Sequence, residues 1–119
     1  MNDTGARAIE VEYRDRKLGA CCSDEKEAKK KWAGNYRKVL IRVALLMSAD
    51  SLADLEQAPG RCHPLTSNRA GQFALDLWGS RRLVFEPANE PLPELPDGGL
   101  DRTRVTKVRV LEVVDYHGD

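Results

Sequence analysis

Residues Arg61–Pro87 read RCHPLTSNRAGQFALDLWGSRRLVFEP. Within them Phe73, Leu75 and Leu77 alternate with Ala74, Asp76 and Trp78. Beyond Gly79-Ser80, Leu83 and Phe85 resume the same period of two. Two runs of this period around a Gly-Ser pair predict antiparallel strands joined by a tight hairpin. Pro87 stops the second strand, because proline cannot donate to the ladder. A hairpin alone is marginal in water, so the rest of the chain must supply further strands and a cover for one face.

Downstream, Val105 to Asp115 forms the longest strand pattern. Its apolar parity changes between Val110 and Leu111, which marks either a bulge or a stretch buried on both faces. Between the two, residues 88–104 hold Pro91, Pro93, Pro96, Gly98 and Gly99 without periodicity. That composition reads as a surface loop, long enough to be functional or mobile.

Upstream lies the scaffold. Ile9, Val11 and Tyr13 alternate with charged residues, as in a half-buried strand. Ser23 with Asp24 and Glu25 reads as a helix start, a hydroxyl cap followed by acids on the positive end of the dipole. Ala28, Trp32, Tyr36, Val39, Leu40, Val43, Leu46 and Met47 then recur at three and four, the stripe of an amphipathic helix. Gly34-Asn35 interrupts it, giving either a kink or two helices, with Asn35 capping the second. Ser51 opens a short helical turn, Leu52 to Gln57, which Pro59-Gly60 closes. The order is one strand, helices, then three antiparallel strands. This is an α+β layout in a single domain spanning residues 1–119.

The chain has 119 residues, 41% apolar and 32% charged, with a net charge of zero. The zero conceals segregation: residues 24–42 carry +4, residues 61–85 carry +3, and residues 86–101 carry −5. No apolar run reaches the ~20 residues of a membrane helix. The N-terminus has no apolar leader core, and an odd set of three cysteines suits a reducing cytoplasm.

The chemistry is concentrated at strand ends. His63 and His117 are the only histidines, and each sits beside arginine or carboxylate. Imidazole suits proton transfer near neutral pH. Arg69, Arg81 and Arg82 are either a solvated face or phosphate ligands, since guanidinium holds phosphate oxygens in pairs. Alternation puts Arg81 and Arg82 on opposite faces and favours Arg82 for the site. Cys62-His63 with Cys21-Cys22 matches no recurrent zinc spacing, and no glycine loop cradles phosphate. Histidines for protons and arginines for a phosphorane describe a phosphodiester site acting without metal or other cofactor.

The blocks RCHPLTSNRAGQFALDLWGSRRLVFEP and VRVLEVVDYHGD, with ADSLADL and EPANEPLPELPDGGLD between and before them, resemble the HigB toxins of bacterial type II toxin–antitoxin modules. These are plasmid maintenance killer proteins within the RelE/ParE superfamily. The resemblance implies a RelE-like fold of two helices on a curved antiparallel sheet. It implies a metal-independent mRNA endonuclease that acts on translating ribosomes, and a HigA-like helix-turn-helix antitoxin as partner. It assigns catalytic positions to His63, Arg82, Asp115, Tyr116 and His117, and loop positions facing RNA to Thr66 and Arg69; Arg61 and Arg81 are further candidate RNA contacts beside them. Thr66 stands where the family usually has lysine, and offers a hydrogen bond without a charge. Two other readings stay open: a ParE-like gyrase inhibitor, and a degenerate toxin that only pairs with its antitoxin.

Overall fold

The computed structural model describes residues 8–115. In chain order the elements are β1 (Glu10–Tyr13), α1 (Arg16–Ser23), α2 (Glu25–Trp32), α3 (Tyr36–Ser48), α4 (Leu52–Glu56), β2 (His63–Pro64), β3 (Phe73–Asp76), β4 (Arg81–Pro87) and β5 (Lys107–Asp115). Single 3₁₀ turns lie at Ala33–Asn35, Ser67–Arg69 and Arg102–Arg104. The five strands form one sheet in the order β1-β5-β4-β3-β2. β1 runs parallel to β5 and the other neighbours are antiparallel.

The expected hairpin is present. Arg81 N–H donates to the Trp78 carbonyl at 2.8 Å, and Gly79 takes φ +54° at the first central position of the turn. A positive φ there matches the twist of the flanking strands and suits glycine. The parity change in β5 is a bulge: Val84 pairs with Glu112 and Phe85 with Val110, so Leu111 is the extra residue. Both readings of that parity hold together. Val108 and Val110 lie in the main core, whereas Leu111 and Val114 pack on a second cluster of Leu65, Ala74 and Val84.

The main core fills the space between the helices and one sheet face. Val39, Val43 and Leu46 of α3 meet Leu75, Leu83 and Phe85 of the hairpin, and Leu52 and Leu55 of α4 join them. The stripe at three and four predicted this α3 surface, except that its last member, Met47, is 43% exposed. Among the described residues, the second cluster contains no helical residue.

Four local expectations are corrected. Arg16–Ser23 is a helix of its own, capped by the Asp15 side chain, which accepts from Leu18 N–H at 2.8 Å. Ser23 is therefore the end of α1, its hydroxyl donating to the Gly19 carbonyl at 2.6 Å. Asp24 is the cap of α2, accepting from Lys26 N–H at 3.0 Å. Gly34-Asn35 separates two helices through a 3₁₀ turn entered at Ala33, φ +49°, and Asn35 makes no side-chain capping bond. The fourth correction is β2, a fifth strand too short to show any period.

Residues 88–104 form a pinned arm. Asn89 Oδ1 accepts from the backbone N–H groups of Thr106 and Lys107 at 3.1 and 3.0 Å. Asp101 caps the turn Arg102–Arg104 through Thr103 N–H at 3.2 Å.

Gly60 is a test of this packing. It holds φ +109°, and a Cβ there would lie 3.2 Å from both Arg42 Nε and Leu75 Cδ2. Its carbonyl accepts from Asp76 N–H at 2.8 Å, at the site end of β3. Gly60→Ala is expected to lower stability by about 1–3 kcal/mol, the usual range for a strained non-glycine conformation. Urea unfolding with an unchanged slope checks it.

Candidate active site on the helix-free face of the sheet

His63 lies opposite Ala74, and Asp76, two residues further along β3, lies opposite Arg82. Arg82 lies opposite Val114 on β5. Cross-strand partners share a face, so His63, Asp76, Arg82 and Val114 line the same face of four adjacent strands. That face also holds Ala74 and Val84, whose cluster includes no helical residue among the described ones. Strand spacing and rise put the His63 and Arg82 backbones about 12 Å apart.

Arg61 precedes β2 in the left-handed region, φ +51°. This unusual backbone for a non-glycine residue accompanies a short contact: His63 Nδ1 lies 2.7 Å from the Arg61 carbonyl. A carbonyl only accepts, so Nδ1 carries the proton. In the neutral ring Nε2 is then the nitrogen with the lone pair, and the half-exposed side chain can present it to a ligand.

Two arginines share one carboxylate. Arg82 Nε stands 2.9 Å from Asp76 Oδ1, and Arg61 Nε 2.9 Å from Asp76 Oδ2. Arg82 Nη1 also donates to the Gly79 and Arg81 carbonyls at 3.2 and 3.1 Å. Its side chain is 17% exposed, so the guanidinium is fixed and not waving in solvent. Two guanidiniums thus sit at one corner of the sheet, and guanidinium is suited to phosphate oxygens.

The other expected residues are distributed differently. Arg69 is bound to Glu112 at 2.6 Å and to Gln72 at 3.0 Å, so its charge is matched locally. Thr66 is exposed, just ahead of the Ser67–Arg69 turn, and its carbonyl accepts from Arg69 N–H at 3.0 Å. Arg81 is exposed and its guanidinium lies 5.9 Å from the Trp78 ring centre. Asp115 pairs with Arg81, on the opposite parity to Arg82 and Val114, and accepts from the Ser80 hydroxyl. The structure thus joins Arg61 and Arg82 through Asp76, holds His63 on the Arg61 carbonyl, and puts Arg81 and Asp115 at the opposite parity to Arg82. Tyr116 and His117 lie outside the described residues.

Asp76 and Glu112 were not singled out in the sequence. The signal for Asp76 was there: it is the one carboxylate in an otherwise apolar strand run and shares parity with Ala74.

Among the described residues no three His, Cys, Asp or Glu side chains gather in a way that would hold a metal ion. Cys22 and Cys62 are buried in the main core. Burial above all pushes both thiols from the usual 9.0 up to about 12. The thiolate is the nucleophile, so neither is reactive at neutral pH. A thiol reagent near neutral pH is expected to label Cys22 and Cys62 only after denaturation. The native thiols hold their protons more tightly than unfolded ones. Their contribution to stability is therefore complete below pH 9.0 and is lost as pH rises toward about 12.

No family model and no curated protein matches the chain. Solved structures do. The YoeB/ParE toxin from Agrobacterium tumefaciens superposes with a TM-score of 0.53 at 14% identity, covering 92% of this chain and 100% of that one. The YoeB dimer from Staphylococcus aureus gives 0.52 at 15% identity, covering 95% and 100%. The fold is the α+β fold of YoeB/ParE toxins, and at this identity the likeness concerns the fold. No helix of the described residues is long and apolar enough to cross a membrane.

Proposed function

We propose that this chain is the toxin of a bacterial type II toxin–antitoxin module, of HigB type, and that it cleaves mRNA on translating ribosomes in the cytoplasm. The observation that carries the reading is the placement of His63 and the Arg61–Asp76–Arg82 cluster on one sheet face in a fold shared with YoeB/ParE toxins. In the proposed reaction the RNA 2′-oxygen attacks the adjacent phosphorus and its proton passes to a base. The bond from phosphorus to the 5′-oxygen breaks, leaving a 2′,3′-cyclic phosphate, and the leaving oxygen takes a proton. His63 Nε2 is suited to the first transfer. Arg82 and Arg61 stabilise the charge that grows on the equatorial oxygens. His117, with Tyr116, is assigned the second transfer. Arg69, Thr66 and Arg81 would contact the RNA backbone beyond the scissile bond. The partner implied is a HigA-like helix-turn-helix antitoxin.

One observation favours a second reading, a degenerate toxin that retains only antitoxin binding. Arg69 is matched by Glu112, and Thr66 brings no charge, which weakens phosphate attraction on that side. Arg82→Ala decides between them. On the nuclease reading the parent arrests growth when expressed and the variant, at equal protein level, loses at least about a hundredfold in mRNA cleavage, the scale of losing one oxyanion donor. A parent that arrests nothing and leaves translated mRNA intact supports the degenerate reading. Intact mRNA with damaged DNA supports gyrase inhibition.

A further inference from the structure

The arm between β4 and β5 carries a feature that the catalytic reading does not use. Its tip is closed by Leu95 N–H on the Gly99 carbonyl at 2.7 Å, with Glu94 bridged to Leu100. Its return leg is anchored by Arg102, 2.6 Å from Glu56 and 5.2 Å from the Phe73 ring centre. Between this arm and the end of the sheet lies a cleft of about 450 Å³, walled by Pro64, Phe73, Pro87, Leu92, Leu100 and Arg102. That volume is within the range of built ligand sites. Leu92 and Leu95 are 48% and 42% exposed on the same arm. A pinned segment that holds large apolar side chains in water is characteristic of a surface covered by a partner.

The outer edge of the arm, residues 90–97, carries acids and no base, although Arg102 itself lines the cleft. Glu86 and Asp101 are occupied, by Arg109 at 2.7 Å and Arg104 at 3.0 Å. Glu90, Glu94 and Asp97 are exposed, and none of the three is in an ion pair among the described residues. Such a rim repels nucleic acid and attracts cations. Its acids are spread along the arm, too dispersed for one small cation to satisfy.

We propose that this cleft docks a segment of a partner protein in which apolar side chains alternate with lysine or arginine. The apolar groups fill the cleft beside Leu92 and Leu100, and the cations meet Glu90, Glu94 and Asp97. The inference rests on the toxin reading only for the owner of the segment, which on that reading is the antitoxin.

The test uses the full chain and three short labelled peptides: alternating Leu/Lys, Leu/Ser and Ser/Lys. Fluorescence anisotropy is expected to show micromolar binding of the Leu/Lys peptide and binding weaker by about tenfold or more for the other two. Leu92→Ser and the double variant Glu90→Gln with Glu94→Gln should each weaken the Leu/Lys peptide by a similar factor. Leu92→Met should restore it, and Glu10→Gln, on β1, should leave it unchanged. Thermal unfolding of each variant matching the parent shows that the fold is kept. No binding of the Leu/Lys peptide, equal affinity for the Leu/Ser peptide, or indifference to the cleft variants overturns the proposal. Growth arrest plays no part in this readout. Cleft variants that lose the peptide and remain toxic leave the toxin reading intact; a non-toxic parent that binds the peptide leaves the cleft intact.

Discussion

Truncation of Phe85 to alanine is expected to lower the unfolding free energy by about 3–5 kcal/mol, the range for a buried aromatic removed from a core that cannot close around the gap. Phe85 is fully buried at the centre of β4. It stacks on Phe73 with ring centres 5.9 Å apart and lies opposite Val110, next to the β5 bulge. Strands on both sides and α3 above are held by the sheet ladder and by Val39, Val43 and Leu46, so little can move inward. Domains of this size have about 5–15 kcal/mol in total. One ring is thus a large share. Urea denaturation should show a lower midpoint and the same slope, and Phe85→Leu should recover most of the difference, since swaps of similar volume usually remain under about 1.5 kcal/mol. A loss below about 1 kcal/mol for Phe85→Ala would place the centre of the core elsewhere.

The same residue shows why the hairpin was legible. Period two in Phe73, Leu75, Leu83 and Phe85 reflects one strongly apolar face, and a single-residue slip would have exposed all of it. The bulge was legible too, because an extra residue shifts parity and parity is visible in a sequence. α1 was not found, although Leu18, Cys21 and Cys22 are its buried residues and stand at the helical spacing of three and four. The two cysteines were weighed as redox or metal groups when they behave as small apolar side chains. The cap was misplaced by one residue because Ser23 and Asp24 are both good caps, and only the end of α1 decides between them. Asn35 failed for another reason: the 3₁₀ turn entered through Ala33 carries the chain into α3 without a side-chain bond.

At the candidate site, alternation separated Arg81 from Arg82 correctly, and that is local information. What alternation could not reveal is long-range pairing. The choice of Glu112 for Arg69, and of Asp76 for both Arg61 and Arg82, depends on register between strands far apart in sequence. Register also decides that Asp115 turns to the parity of Arg81. The arm at 88–104 looked slack because its order comes from Asn89, Asp101 and Arg102, polar anchors that leave no periodic trace.

His63→Gln carries the largest expected effect on activity. Glutamine keeps an amide that can donate to the Arg61 carbonyl, and the site is half-exposed, so stability should change little. What it cannot do is accept a proton and pass it on. A positioned acid–base group contributes typically about 10²–10⁴-fold, so cleavage of a translated message should fall by that range while RNA binding persists. A stability measurement separates the role from mere structure: urea unfolding of the variant should match the parent while cleavage falls. Arg61→Gly provides the complementary control. Glycine relieves the φ +51° backbone and retains the carbonyl that fixes the His63 tautomer, but removes one of the two guanidiniums held by Asp76. It should therefore lower the rate through weaker phosphate contact, by less than His63→Gln does. If His63→Gln retains full cleavage, the proton acceptor lies elsewhere on the face, and the Nδ1–carbonyl bond is a structural feature of β2.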